Sequence, residues 1–295
     1  MLKKIIKIIF PSVVINQLRN YYWPNHVRKL TDNIYYSSLK KRINWENPKD
    51  LNEKIHWLKL YSDTSRWPDL TDKYKVRQYV TNCGLGMLLN ELYAKYDSVD
   101  EIDIDKLPDS FVIRQNNACG DTLIIEDKSK VTNREIKKYF REKQKKHYGV
   151  MTAEPHYLRI KSCIIAEKIL KNTSLFSSSL IDYKFLCFNG QAKYILVCTD
   201  RQGSHCKFFT YDLDWNFRNS CLPLIPGTFP KPQSLTTMIK ASEILSKGFP
   251  FVRVDFYETD GVPVFGEMTF TPAAGFIDYF TPDFLEELGS YIPID

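Results

Sequence analysis

The chain has 295 residues, 43% hydrophobic and 26% charged, which is ordinary for a soluble globular protein and long enough for two domains. Its formal net charge of +6 suits an anionic ligand without naming one. Seven cysteines, odd in number and without Cys-x-x-Cys spacing, argue against a zinc site or a disulfide framework and favour a reducing cytoplasm.

Residues 1–18, MLKKIIKIIFPSVVINQL, carry an apolar run broken by Lys7 and Pro11 with no small-residue cleavage site after it. The run is too short and too charged to span a bilayer. It reads either as a basic amphipathic segment in peripheral contact with an anionic membrane surface or as a first helix packed on the body. Helical patterning continues to about residue 65. Leu51 to Leu60 repeats its apolar positions at helical spacing, with Asp50 or Asn52 as the cap. TDKYKVRQYVTNCGLG predicts a second helix, capped by Thr71 or Asp72 and stopped by Gly84. Met87 to Tyr96 reads as a strand, and the acidic stretch ending at Pro108 as a short helix and turn.

From Phe111 the pattern becomes strand, glycine turn, strand: FVIRQN, NACGDT, LIIED. A charged helix follows from Asn133, then the strand IIAEKIL. Lysines all round that helix mark a solvated face, and no aromatic-interleaved platform accompanies them, so nucleic acid is not an expected partner. Asp182 to Cys198 predicts a hairpin turning at Asn189-Gly190, Lys207 to Asp212 a strand, and Leu235 to Ser246 a helix. Strands and helices mix without strict alternation, which favours an α+β fold over a Rossmann sheet. The polar stretch Lys171 to Ser179 is the natural domain boundary.

The last hairpin carries the clearest chemistry. Phe251 to Tyr257 and Val262 to Phe270 flank the turn signal Asp260-Gly261, which places Asp255 and Glu267 on adjacent strands. Neighbouring acids among apolar residues resist ionisation unless a cation lies between them, and carboxylate oxygens suit Mg²⁺ completed by phosphate and water. Arg253 shares a strand face with Asp255 and is able to hold a further anionic oxygen. The loop Asn116 to Thr122, with Asn117 and Gly120, offers backbone N–H groups to phosphate, and Arg114 stands on the strand before it. In IIAEKIL, an edge strand interrupted by Glu167-Lys168 is able to bond an adenine through its backbone while the acid takes ribose hydroxyls. Lys184 is within reach of a phosphate.

The order of LNEKIHWLKLY, LTDKYKVRQYV, DYKFLCFNG, YDLDWN, SKGFPFVRVDFY and FGEMTFTPAAG resembles the TupA-like branch of the ATP-grasp superfamily, from about Leu51 to the C-terminus. The resemblance implies two α+β lobes with ATP between them, preceded by a helical N-terminal region. It divides the chain into a helical region (1–65), an α/β segment (66–110), a small lobe with the phosphate loop (111–172) and a C-terminal lobe with the metal site (173–295). It makes Asp255 and Glu267 magnesium ligands, with Thr269 where many relatives have asparagine, and Arg253 the residue that steadies the acyl phosphate. Arg77 and Arg114 become nucleotide contacts, Arg114 replacing a usual lysine. Glu167, Lys168 and Ile169 become the adenine hinge, and Lys184 a catalytic phosphate contact. The loop NNACGD has fewer glycines than the branch usually shows.

The implied activity is an ATP-dependent carboxylate–amine ligation through an acyl phosphate. It would join a uronic acid of a sugar nucleotide or bacterial surface glycan to an amino acid or small amine, in the cytoplasm or at the inner face of the membrane. Two other readings remain open at this point. A glycosyltransferase would use Asp212-Leu213-Asp214 to hold Mg²⁺ and a sugar nucleotide, and a non-catalytic relic would bind ATP or glycan without turnover.

Overall fold

Two antiparallel sheets hold the strands of residues 27–145, 148–203, 205–224 and 228–294, the part of the chain that a computed structural model describes. The basic segment 1–18 lies outside the described residues. Among those described, no helix is long and apolar enough to cross a membrane. The smaller sheet orders its strands β1(Leu92–Tyr96), β4(Ile164–Glu167), β2(Phe111–Gln115) and β3(Thr122–Ile125). The larger orders β10(Val262–Thr269), β9(Phe251–Thr259), β5(Asp182–Phe188), β6(Gln191–Gln202), β7(His205–Tyr211) and β8(Phe217–Arg218). Met87 and Leu88, expected to begin the first strand, instead form a short 3-10 turn.

Alternation sorts each sheet into two faces. In the smaller sheet Phe111, Ile113, Ile164 and Ala166 bury against Ile136 and Phe140 of the helix Asn133–Gln144. That helix begins with a capping box between Thr132 and Glu135 and carries its lysines on the solvent side. The opposite face presents Val112, Arg114, Ile165 and Glu167. In the larger sheet Tyr183, Phe185, Val254 and Phe256 share one apolar face with Ile195 and Val197. The helix Leu235–Leu245 packs on that face, where the Cys187 thiol points at the Ser242 carbonyl.

The other face of the larger sheet is apolar only at one end. There Phe188 and Tyr194 pack against Tyr291 and Phe284 of the C-terminal segment. The helix Leu51–Tyr61 lies alongside. Asp50, not Asn52, caps it by accepting from the Glu53 N–H. Asn52 instead grips the backbone of Ile277 through both side-chain atoms, at 2.9 Å each. The helix Pro282–Ser290 closes on this region so tightly that a Cβ on Gly289 would lie 2.0 Å from the Lys49 carbonyl oxygen. Gly289→Ala is therefore expected to lower stability by about 1–3 kcal/mol, read as an earlier urea-unfolding midpoint. An unchanged midpoint would mean the helix can shift without cost.

Candidate active site

The final hairpin turns as the sequence suggests. Asp260 and Gly261 both have positive φ, 52° and 75°, the geometry of a two-residue type I′ connection. A regular ladder from that turn would set Glu267 opposite Val254, on the apolar face. The register shift between Phe265 and Glu267 prevents this: Gly266 is an extra residue, Phe265 pairs with Phe256, and Glu267 pairs with Asp255. The bulge moves Glu267 to the polar face, and a one-residue change is sufficient to do so. A side chain on Gly266 would crowd the Asp255 carbonyl oxygen at 3.1 Å.

On the next strand Lys184 pairs with Asp255, so Lys184, Asp255 and Glu267 form one row across β5, β9 and β10. Lys184 Nζ donates to Asp255 Oδ2 at 2.6 Å and to Asp182. Arg253 Nε donates to Asp255 Oδ1 at 2.7 Å. Its Nη2 donates to Asp255 Oδ2 at 2.7 Å, Glu267 Oε1 at 3.1 Å and Thr269 Oγ1 at 3.2 Å. Lys73 Nζ lies 3.5 Å from Glu267 Oε2 and donates to the Ala118 carbonyl in the loop after β2. Burial opposes ionisation of Glu267, but Lys73, Arg253 and Lys184 outweigh it and hold the carboxyl well below its usual range. Burial likewise opposes the Lys184 charge, and Asp182 and Asp255 overcome it.

The same three oxygens test the fit of a metal. Among the described residues no group of three or more acidic, histidine or cysteine side chains gathers at one point. Mg²⁺ needs fewer, since one or two carboxylates suffice when phosphate and water complete the octahedron. Here two carboxylates and a hydroxyl converge on the single cationic Nη2 of Arg253. This hard-oxygen donor set, focused on a positive group, fits Mg²⁺ if Arg253 swings aside.

The smaller sheet supplies the facing wall. Arg114 Nε donates to Glu167 Oε2 at 3.0 Å, and Arg77 Nη1 to Glu167 Oε1 at 3.1 Å. Arg114 also lies close enough to the Glu267 carboxylate to be favoured by its charge, so it faces the larger sheet. Both Glu167 oxygens are thus engaged, and its side chain is only 3% exposed. β4 is not the edge strand the sequence suggested. It lies between β1 and β2, because the apolar Ile164 to Ala166 is buried from both sides. Its backbone continuation is also occupied, with the Lys168 N–H on Glu91 O and the Lys168 carbonyl accepting from Asn90. Ile169 follows beyond the pairing. Asn117 and Gly120 lie in the turn between β2 and β3, Gly120 with φ 77°.

Three features went unread in the sequence. Lys73 sits in the same DKYKVR stretch as Arg77, and Asp182 shares a strand face with Lys184. The third is a buried polar junction just beyond the end of β10, where Thr271 donates to Glu154 and Lys59 meets His56 Nδ1 at 2.9 Å. Ala273, Ala274 and Gly275 follow Thr271, all left-handed. Gly275 is fixed as glycine by the His56 ring, 2.7 Å from where a Cβ would stand. The Asp212-Leu213-Asp214 pair does structural work instead, since Asp212 Oδ1 accepts the N–H groups of Asp214 and Asn216.

The chain belongs to the TupA-like ATPgrasp family, whose sequence pattern matches residues 53–293. No curated protein sequence matches it. Among solved structures it is similar to D-alanine–D-alanine ligase from Bacillus anthracis complexed with ATP, at 15% identity and TM-score 0.41, covering 76% of this chain and 63% of that one. It is also similar to L-amino acid ligase from Bacillus licheniformis, at 12% identity and TM-score 0.47, covering 76% of this chain and 49% of that one. The chain thus spans less than two thirds of either relative.

Burial lowers the Lys59 pKa from 10.5 to about 7, with Glu154 acting the other way. Between these values the unfolded chain binds a proton that the folded chain does not, so Lys59 makes stability rise with pH across that window. Lys59→Met is expected to remove about 1 kcal/mol of rise per pH unit there, measured by urea unfolding between pH 7 and pH 10. Parallel profiles for the two proteins would show that Lys59 keeps its charge.

Proposed function

We propose that the chain is an ATP-dependent ligase that joins a carboxylate to an amine through an acyl phosphate. The observation that carries the reading is the row Lys184, Asp255 and Glu267, with Arg253 beside it, facing Arg77 and Arg114 across the two sheets. Cations on both walls are suited to a polyphosphate, while the acids provide for its metal. When bound, Mg²⁺ would neutralise phosphate oxygens and polarise the bond being broken. Asp255, Glu267 and Thr269 would hold it.

In this reading the substrate carboxylate attacks the γ-phosphorus of ATP, and ADP leaves with the bridging oxygen. The amine then displaces phosphate from the acyl carbon and gives its proton to a released phosphate oxygen. Arg253 and Lys184 neutralise the transferring phosphoryl group. The loop Asn116 to Thr122, tied to Glu267 through Lys73, excludes water. The proposed acid is a uronic acid on a sugar nucleotide or bacterial surface glycan, and the amine an amino acid or small amine. A cytoplasmic setting suits the seven free cysteines, and residues 1–18 would supply any membrane contact. The turn-bound Asp212 disfavours a glycosyltransferase, because its carboxylate already serves the backbone.

The test is Mg²⁺-ATP with pooled uronic-acid sugar nucleotides and pooled amines, followed by ADP and phosphate release. Substrate-dependent release is expected, and Glu267→Gln should reduce it about a hundredfold or more. Release of UDP or GDP without ADP would move the reading to a transferase. Tight ATP binding with no turnover on any pool would leave a binding protein.

A further inference from the structure

A cavity of about 530 Å³ opens at the end of the smaller sheet, where Gln115 ends β2 and Asp97 follows β1. Asn117 and Ala118 of the loop after β2 line it, as do Arg141 and Gln144 in the last turn of the helix Asn133–Gln144. Tyr148 and Tyr157, which meet edge to face at 4.7 Å, line it too. Its volume lies within the roughly 300–1,000 Å³ of small-molecule sites. Arg77, Arg114, Lys184 and Asp255 are not in its lining, so the residues assigned above to phosphate and metal leave it unused.

The charges of the lining are already matched. Arg141 holds Asp100, while Lys95 and Lys161 stand against Asp97. An ammonium group therefore meets no unpaired acid there, and a phosphate no unpaired cation. The groups left to bond are neutral. Gln115 and Gln144 donate through their NH₂ groups to Asp121 and Ser162, which leaves their side-chain oxygens as acceptors. The Tyr148 and Tyr157 hydroxyls make no hydrogen bond among the described residues. An apolar ligand would leave these groups unpaired. A ring with several hydroxyls satisfies them and lays its C–H faces on the aromatic side chains.

The cavity adjoins the charged row of the larger sheet. Lys73 Nζ donates to the Ala118 carbonyl and lies 3.5 Å from Glu267 Oε2. Burial first, then the Glu154 carboxylate and, beyond it, that of Glu267 push both phenols up, so both tyrosines stand near Glu267 as well. We propose that this cavity binds an uncharged polyhydroxyl ring, a sugar unit of the substrate, and holds it beside the loop after β2 with its reacting group towards Lys73 and Glu267. Sugar binding stands on the cavity itself, and its part in catalysis rests on the ligase reading above.

The experiment is saturation-transfer NMR of the full chain with glucose, N-acetylglucosamine, glucuronic acid and galacturonic acid, each with and without Mg²⁺-ADP. At least one saccharide should receive saturation and keep it when Mg²⁺-ADP is added. Gln144→Trp, which fills the cavity from a partly exposed helix position, should abolish the transfer. Tyr157→Phe should raise the sugar Kd roughly fivefold, the loss of one neutral hydrogen bond. Unchanged Mg²⁺-ADP affinity in each variant shows that it folds. No transfer to any saccharide would overturn the proposal, and so would transfer that survives Gln144→Trp or is displaced by Mg²⁺-ADP. ADP release on the uronic-acid pools without sugar in this cavity would overturn it and keep the ligase reading. Sugar bound in the cavity with no release on any pool would do the reverse.

Discussion

Everything at the site depends on one electrostatic constraint: five charged side chains share a mostly buried patch of sheet, and none can stay there alone. Asp255 and Lys184 have side chains 2% and 7% exposed, Arg253 10%, and Asp182 9%. An isolated charge in such a place would neutralise or unfold its surroundings. Alternating sign solves the problem. Asp182 and Asp255 flank Lys184, while Arg253 spans Asp255, Glu267 and Thr269. The arrangement is weak evidence for stability, because apolar residues would pack there at less cost. Its presence is better explained by what such an array can bind, and a polyphosphate with its metal matches both signs.

The constraint reaches outward through strand register. Glu267 joins the array because Gly266 bulges. Asp182 and Lys184 join because alternation on β5 points them the same way as Arg253 and Asp255 on β9. The second sheet repeats the logic with inverted roles, since one acid there holds two arginines. Segments outside the strands of the smaller sheet reach the larger sheet or the chain just after it. Lys73 links the loop after β2 to Glu267, Thr271 just beyond β10 donates to Glu154, and Leu89 bridges to Phe265.

Much of this was legible in the residues because it follows from local rules. Alternation and turn signals located the last hairpin, the Asn189-Gly190 hairpin and the helix from Asn133. The α+β class followed from their order. What sequence could not supply was non-local. Nothing in IIAEKIL says that β1 and β2 will both pair with it, so an interior strand read as an edge. The bulge at Gly266 is invisible to a count from the turn, and pairing of Asp255 with Glu267 was expected without the device that makes it possible. Lys73 lies far from the sheet in sequence and reaches it only through the fold, whereas Arg77 was singled out by the resemblance alone. The polar junction of Lys59, His56 and Glu154 had no local signature, because each residue alone looks like an ordinary surface position.

The most direct test of the central claim is a crystal structure of the chain with Mg²⁺ and a non-hydrolysable ATP analogue. The account predicts the triphosphate between the two sheets and the metal about 2 Å from oxygens of Asp255 and Glu267, with Arg253 turned away from both. A nucleotide bound elsewhere, or one bound in the cleft with Arg253 still bridging the two acids and no metal between them, would contradict it.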